Sequence, residues 1–238
     1  MPGLGTIINT AAIVVGGLLG LLFKNLLTKS MEDTLLKASS VCVLFIGIGG
    51  AMQHMLKITD GALETSGSMM LIICFVLGSI VGELLDIEGA FERFGAWLRK
   101  KTHNESDTGF LSAFIHASLT VCIGAMAIVG SIQDGLLGDS SLLCAKAALD
   151  AVTILVMTAS MGKGCIFSAI PVALLQGGVT LLSRVLAPVF TEAAIANLSY
   201  TGSVMIFCVG LNLVWGKKIK VANLLPTLVF AVLYALVF

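Results

Sequence analysis

Apolar residues in this chain are grouped into long runs rather than alternating with polar residues. A helix needs about 20 mostly apolar residues to cross a hydrocarbon core about 30 Å thick. With charged residues and Gly or Pro clusters taken as boundaries, eight runs of roughly that length emerge. They are Gly5–Phe23, Ala38–Met55, Ser68–Leu85, Gly109–Ile132, Ser141–Ser160, Gly164–Leu186, Leu198–Trp215 and Val221–Phe238. The pattern predicts eight membrane-spanning helices, numbered here as spans 1 to 8.

The longest polar segment, residues 86–108, carries a helical pattern of its own. Its large apolar residues recur at spacings of three and four, beside charged residues: Ile87, Phe91, Phe94, Trp97 and Leu98. This spacing predicts an amphipathic helix that lies along the membrane surface. A connecting role or a regulatory one would both fit such a helix.

Composition supports a membrane protein. The chain is 57% hydrophobic and 12% charged, whereas soluble domains are about 45–50% apolar and about 25% charged. So few charged residues cannot cover a water-exposed surface, but a lipid-exposed surface needs almost none. We therefore expect an all-α, polytopic transmembrane helical bundle that has the lipid bilayer as its surroundings.

The basic residues indicate how the spans are oriented. Eleven of the 14 fall in odd-numbered loops. They are Lys24, Lys29, Lys37, Arg93, Arg99, Lys100, Lys101, Lys163, Lys217, Lys218 and Lys220. Because cytoplasmic loops collect Lys and Arg, both chain termini are expected outside. The net charge of zero gives no basic surface for nucleic acid.

An internal resemblance predicts a repeat. When residues 11–21 are placed over residues 172–182, the pair Gly16-Gly17 falls on Gly177-Gly178. The basic cluster follows the first helix of one unit and the second helix of the other, so the two units would enter the membrane from opposite sides. Spans 1–3 and 6–8 are thus predicted to form an inverted repeat around a two-helix insert. The corresponding units are residues 1–100, 109–160 and 162–238.

Polar residues inside the spans are the candidates for a site, because a charge at the centre of a membrane helix costs about 2.5–3.5 kcal/mol. They are Asn9, Gln133, Asp134, Lys146, Asp150 and Gln176. Lys146 and Asp150 are four residues apart and share a helix face, with Asp150 near the bilayer midplane. A self-neutralising pair and a functional role both fit. Pro171 further predicts a broken sixth span between Pro171 and Gly178.

Signatures of other chemistry are missing from the sequence. The six cysteines are dispersed without a C-x-x-C pair, and His54, His103 and His116 form no metal-binding pattern. No G-x-S-x-G nucleophile motif occurs either. We therefore expect no catalytic residues, no metal and no cofactor.

Two blocks of the chain resemble a known family. They are the opening Gly3-Leu4-Gly5-Thr6-Ile7-Ile8-Asn9-Thr10, continuing to Gly20, and the central Gly135-x-x-Gly138-Asp139 with Lys146 and Leu149-Asp150. Pro171 and Asn223-Leu224-Leu225-Pro226 add to the match. Together they resemble an uncharacterised family of bacterial membrane proteins labelled YqgA-like or YdfK-like. The resemblance implies a multi-pass protein of the bacterial cytoplasmic membrane and supplies no substrate.

Function must therefore be inferred from the buried polar residues and the repeat. The leading hypothesis is a small transporter or channel for an ion or small polar solute. The alternative is a membrane protein that transports nothing, such as an intramembrane enzyme or a sensor or assembly partner. Helix faces rich in small residues would also permit a homo-oligomer.

Overall fold

A computed structural model describes residues 2–24, 28–59, 61–102, 108–122 and 125–237. The α-helices are α1 Leu4–Lys24, α2 Lys29–Met55, α3 Ser68–Leu85, α4 Ile87–Lys101, α5 Phe110–Cys122, α6 Ala125–Leu137, α7 Ser141–Met161, α8 Ala169–Leu181, α9 Ser183–Leu186, α10 Glu192–Trp215 and α11 Pro226–Val237. Two 3₁₀ turns, Lys163–Ser168 and Val221–Leu224, precede α8 and α11. Strands β1 Leu56–Thr59 and β2 Ala62–Thr65 pair antiparallel.

The helices confirm an all-α membrane protein at the level of its class. Within the described residues, five helical segments are long and apolar enough to cross a membrane, and they include Lys163–Leu181. Helices α5 and α6, bent by 60° where they meet, would together form a sixth. Two apolar helical segments, Ser40–Met55 and Val221–Val237, are shorter. The count of eight spans therefore stays a prediction.

Two boundaries differ from those predicted. The stretch predicted as the fourth span contains two described helices, α5 and α6, at 60° to each other, and residues 123–124 lie outside the described residues. The break expected between Pro171 and Gly178 was wrong, because α8 is continuous from Ala169 to Leu181. Pro171 is the third residue of α8, within the first turn, where its missing N–H removes no helical hydrogen bond.

The amphipathic segment is confirmed as a helix, α4. The Asp86 side chain caps it by accepting a hydrogen bond from the Gly89 N–H over 3.3 Å. Leu98 is buried on the inner face, whereas Trp97 is 54% exposed. Residues 103–107 of the predicted surface segment lie outside the described residues.

The β-hairpin was not predicted. Its two four-residue strands pair from Leu56 opposite Thr65 to Thr59 opposite Ala62. Gly61 has φ of 78°, a left-handed conformation that favours glycine in a tight turn. The sequence signal was the dipeptide Asp60-Gly61, which is typical of hairpins.

Close approaches at glycine fix how the long helices run. A Cβ at Gly16 of α1 would lie 2.4 Å from the backbone oxygen of Ala151 in α7, and Gly5 likewise meets Leu143. Leu143 and Ala151 follow each other along α7 in the same order as Gly5 and Gly16 along α1, so the two helices are parallel. Along α2, Gly47 meets Phe207 and Gly50 meets Ser203 of α10. Those two helices are therefore antiparallel.

These directions give the bundle two ends. We call the end that carries the C-terminus of α1, helix α4 and residues 216–220 the basic end. The opposite end carries the N-terminus of α1, the hairpin and residues 138–140. The largest apolar cluster lies toward the basic end, where Phe110 and Phe114 of α5 pack with Val209 of α10.

Candidate functional site

Lys146 and Asp150 form a buried ion pair on α7. The Lys146 Nζ donates hydrogen bonds to Asp150 Oδ1 over 2.8 Å and to Oδ2 over 2.6 Å. The side chains are only 9% and 8% exposed. The shared helix face inferred from their spacing thus faces other helices rather than lipid.

Two other helices complete this group. Asn9 of α1 donates from Nδ2 to Asp150 Oδ2 over 3.0 Å. Lys146 also donates to the backbone oxygen of Val121 in α5 over 2.9 Å. We call Asn9, Lys146, Asp150 and the Val121 carbonyl the Lys146 cluster. It joins residues that are more than 100 positions apart in the chain.

The end of α5 explains why the Val121 carbonyl is available. The last four carbonyls of an α-helix have no partner within the helix. Val121 is the penultimate residue of α5, next to the bend toward α6. A C-terminal helix end also carries partial negative charge, which favours the nearby Lys146. The 60° bend between the described helices α5 and α6 thus lies near the cluster, whereas none was found at Pro171.

Two cavities are lined in part by residues of the Lys146 cluster. The His54 cavity, of about 490 Å³, is lined by Gly50, Gln53, His54, Met126, Lys146, Leu149, Asp150, Ser199, Ser203 and Ile206. The Cys42 cavity, of about 430 Å³, is lined by Ala38, Cys42, Val43, Ile46, Thr120, Val121, Leu149, Asp150, Val152, Thr153, Val156, Met157 and Ile206. Both include Asp150.

The two cavities extend in opposite directions from Asp150. The His54 cavity follows the C-terminal part of α2 toward the opposite end, and several of its lining residues are polar. The Cys42 cavity follows the C-terminal half of α7 toward the basic end. Its wall is mostly apolar, and Ile46 and Val152 at its edge are exposed, so it also opens toward lipid.

The remaining candidates lie apart from the ion pair. Asp134 is fully buried at the N-terminus of α1, where its Oδ2 accepts a hydrogen bond from the Gly5 N–H over 3.0 Å. Gln176 on α8 is 1% exposed. Gln133 is only half-buried, because adjacent helical positions point about 100° apart and Asp134 takes the inward direction.

Sequence reasoning missed a polar network at the basic end. Lys220 pairs with Glu83 over 2.5 Å, and Lys217 pairs with the buried Glu88 over 3.0 Å. Asn223 donates from Nδ2 to Glu83 over 2.7 Å. The partners are more than 120 positions apart, so no local pattern could reveal them. The network ties α3 and α4 to the segment before α11.

This network shifts the titration of its lysines. The hydrogen bond to Glu83 raises the pKa of Lys220 above its usual value. Burial alone would lower the pKa of Lys217, but hydrogen bonds to Glu92 and Glu88 outweigh burial and raise it. Both lysines therefore keep their positive charge, which fits a basic membrane surface.

Comparisons with known proteins place the chain in a family. The chain is 26% identical over 224 residues to the "Uncharacterized membrane protein YdfK" of Bacillus subtilis (strain 168), covering 94% of this chain and 92% of that protein. It is also 26% identical over 235 residues to the "Uncharacterized protein YqgA" of Escherichia coli (strain K12), covering 96% and 94%. No solved structure matches.

The resemblance inferred from the opening and central blocks is confirmed over nearly the whole chain. A family model described as "Protein of unknown function (DUF554)" matches residues 4–236. Together with the apolar helices, the name of the Bacillus relative supports a membrane protein. This chain belongs to the DUF554 family.

Proposed function

We propose that the protein is a carrier for a small ion or polar solute, with the Lys146 cluster as its solute site. One observation carries this proposal: two separate cavities, which extend toward opposite ends of the bundle, both include the buried, ion-paired Asp150 in their linings. Charged groups inside a membrane are costly and typically mark transport pathways. Solute entering from either side would meet the same carboxylate.

The cavity geometry favours a carrier over a channel. A channel needs a continuous pore lined by its selective groups, whereas a carrier exposes one central site alternately to each side. Here the two cavities are separate, and Asp150 is one of three residues, with Leu149 and Ile206, that line both. A bend between helices beside the site, with the Val121 carbonyl bound to Lys146 rather than to its own helix, is also typical of carriers.

The proposal includes eight crossings and the inverted repeat. The bent pair α5 and α6 supplies the fourth crossing, and the shorter segments Ser40–Met55 and Val221–Val237 supply the second and eighth. In an inverted repeat, α2 corresponds to α10 and α3 to α11. Each of these pairs is antiparallel. Gly47 and Gly50 of α2 meet Phe207 and Ser203 of α10 in reverse order, and Gly78 and Gly82 of α3 meet Thr227 of α11 and Asn223 just before it, also in reverse order. This packing supports opposite insertion of the two units.

The location follows from the same proposal. The membrane is the bacterial cytoplasmic membrane, with the basic end inside and both termini outside, because basic residues collect on the cytoplasmic face. Transport by this mechanism needs no catalytic residue and no cofactor. A homo-oligomer is compatible with it, since each chain contains a whole site.

A ligand screen followed by uptake tests the function. Purified protein is scanned by thermal unfolding against salts and small polar metabolites, because a ligand of the folded state raises its stability. A ligand that stabilises the parent but not the Asp150→Asn variant is then offered, radiolabelled, to proteoliposomes. We expect uptake by the parent and loss of at least tenfold in Asp150→Asn, while Asp139→Asn, an exposed control, keeps the parental rate.

Two results would reject the carrier. Equal uptake by Asp150→Asn and the parent would remove the Lys146 cluster from the pathway. Binding without uptake in sealed vesicles would favour the alternative of a sensor or assembly partner.

A further inference from the structure

A second group of buried polar atoms lies where α1, α6 and α8 meet. Within the described residues, five side chains there have fully buried oxygen atoms that no protein group hydrogen-bonds. These atoms are Thr6 Oγ1, Asn9 Oδ1, Asp134 Oδ1, Gln176 Oε1 and Thr180 Oγ1, and Gln176 Nε2 likewise has no partner. A buried carboxylate oxygen and four neutral oxygens left without partners are costly unless a ligand binds them.

Helix contacts place these five residues within about one helical turn of each other along the bundle. The Gly5 N–H donates to Asp134, so α1 and α6 touch there. A Cβ at Gly135, the residue after Asp134, would lie 2.5 Å from the Thr180 backbone oxygen, so α6 and α8 cross at the same point. Gln176 is one turn before Thr180 and shares its face.

Helix α1 adds two of the oxygens. Thr6 and Asn9 are three residues apart and lie on the same side of the helix. Asn9 uses its Nδ2 to hold Asp150, which leaves its Oδ1 directed away from that bond. The N-terminal turns of α1 therefore contact Asp134 through Gly5 and Asp150 through Asn9.

We propose that these oxygens form a binding site for a monovalent cation, with Na⁺ as the ion. Carboxylate, amide and hydroxyl oxygens suit hard cations. Asp134 supplies one negative charge, which balances one positive charge. Among the described residues, no group of three or more His, Cys, Asp or Glu side chains is assembled, so a multiply charged metal lacks its usual ligands. Coupling of this ion to solute movement rests on the proposed function, but its binding does not.

Thermal unfolding of the purified protein tests the site. At constant ionic strength, replacement of choline chloride by NaCl should raise the Tm by about 3–6 °C at tenfold excess over Kd. Thr6→Val keeps the shape of the side chain and removes one oxygen. It should raise the half-saturating NaCl concentration at least fivefold. Asp134→Asn should abolish the response. Asp139→Asn, a matched carboxylate on an exposed turn, should respond as the parent does.

Three outcomes would overturn the proposal. The first is a parental Tm that does not respond to Na⁺ relative to choline, which would show that these oxygens bind no Na⁺. The second is a parental Na⁺ response in both Thr6→Val and Asp134→Asn. The third is a response lost in Asp150→Asn but kept in Asp134→Asn, which would move the cation to the Lys146 cluster. None depends on solute uptake, so failure here and failure of the carrier proposal are distinguishable.

Discussion

At the scale of single residues, Lys146 is held by more than the partner on its own helix. A Lys that precedes Asp by four positions is the poorer order for an isolated helix, because it opposes the helix dipole. The Val121 carbonyl compensates by accepting a further hydrogen bond from Lys146 at the C-terminus of α5. Asp150 in turn accepts from Asn9. The pair therefore links α1, α5 and α7 as well as neutralising itself.

Loss of one charge should destabilise the protein more than loss of both. Asp150→Asn leaves Lys146 buried without its carboxylate, and an unpaired buried charge costs about 3–5 kcal/mol. The double variant Lys146→Met with Asp150→Asn removes that penalty and should recover most of the parental Tm. Thermal unfolding in detergent measures both, with Asp139→Asn as the control for an exposed carboxylate.

A different order of unfolding temperatures among these variants would contradict the cost assigned to the unpaired Lys146. If the double variant unfolds at the same temperature as Asp150→Asn, the buried charge is not what destabilises the single variant. Recovery of stability without uptake would assign the pair to transport, whereas recovery of both would make it a structural pair.

At the scale of helices, glycine determines how closely the segments approach. A Cβ at Gly16 would lie 2.4 Å from the Ala151 backbone oxygen, so α1 cannot stay against α7 if that position gains a side chain. Gly49, on α2, has nothing within 4 Å of the same added atom. These two glycines are both within helices but only the first is required by packing.

Alanine substitutions at Gly16 and at Gly49 should therefore change the stability of the protein differently. Gly16→Ala should destabilise the protein by about 1–3 kcal/mol, since overpacking forces the backbone to shift. Gly49→Ala should be neutral or stabilising by up to about 1 kcal/mol, because alanine is the better helix former. Thermal unfolding of both variants measures the difference. Equal destabilisation would show that α1 does not depend on its close contact with α7.

The sequence predicted the helices and the shared face of Lys146 and Asp150, because hydrophobic length and periodicity are local properties. It could not predict that Asn9 joins them from 141 positions away. Nor could it predict the bend between α5 and α6, because proline, the residue that most often breaks a helix, occurs at Pro171 instead. Proline in a first turn is compatible with a helix, whereas α5 ends at Cys122 with no proline beside it.

At the scale of the whole molecule, the proposed carrier has a definite orientation in the membrane. Lys24, Lys163 and Lys217 lie at the basic end, and Asp139 lies at the opposite end. In a parent that retains only buried cysteines, Asp139→Cys should react with an impermeant thiol reagent in intact cells. Lys218→Cys should react only after the membrane is permeabilised. The reverse pattern would invert the topology, and labelling of both in intact cells would reject the odd-loop assignment.

Alternating access from two sides is the central claim, and two single cysteines test it most directly. Ser203→Cys reports on the His54 cavity and Thr153→Cys on the Cys42 cavity. The parent retains only Cys165, which is fully buried and should stay unlabelled. The carrier account predicts that an impermeant thiol reagent reaches Ser203→Cys only from outside and Thr153→Cys only from the cytoplasmic side. Labelling of both positions from one side would reveal a continuous pore, and labelling of neither from any side would contradict a solute path through Asp150.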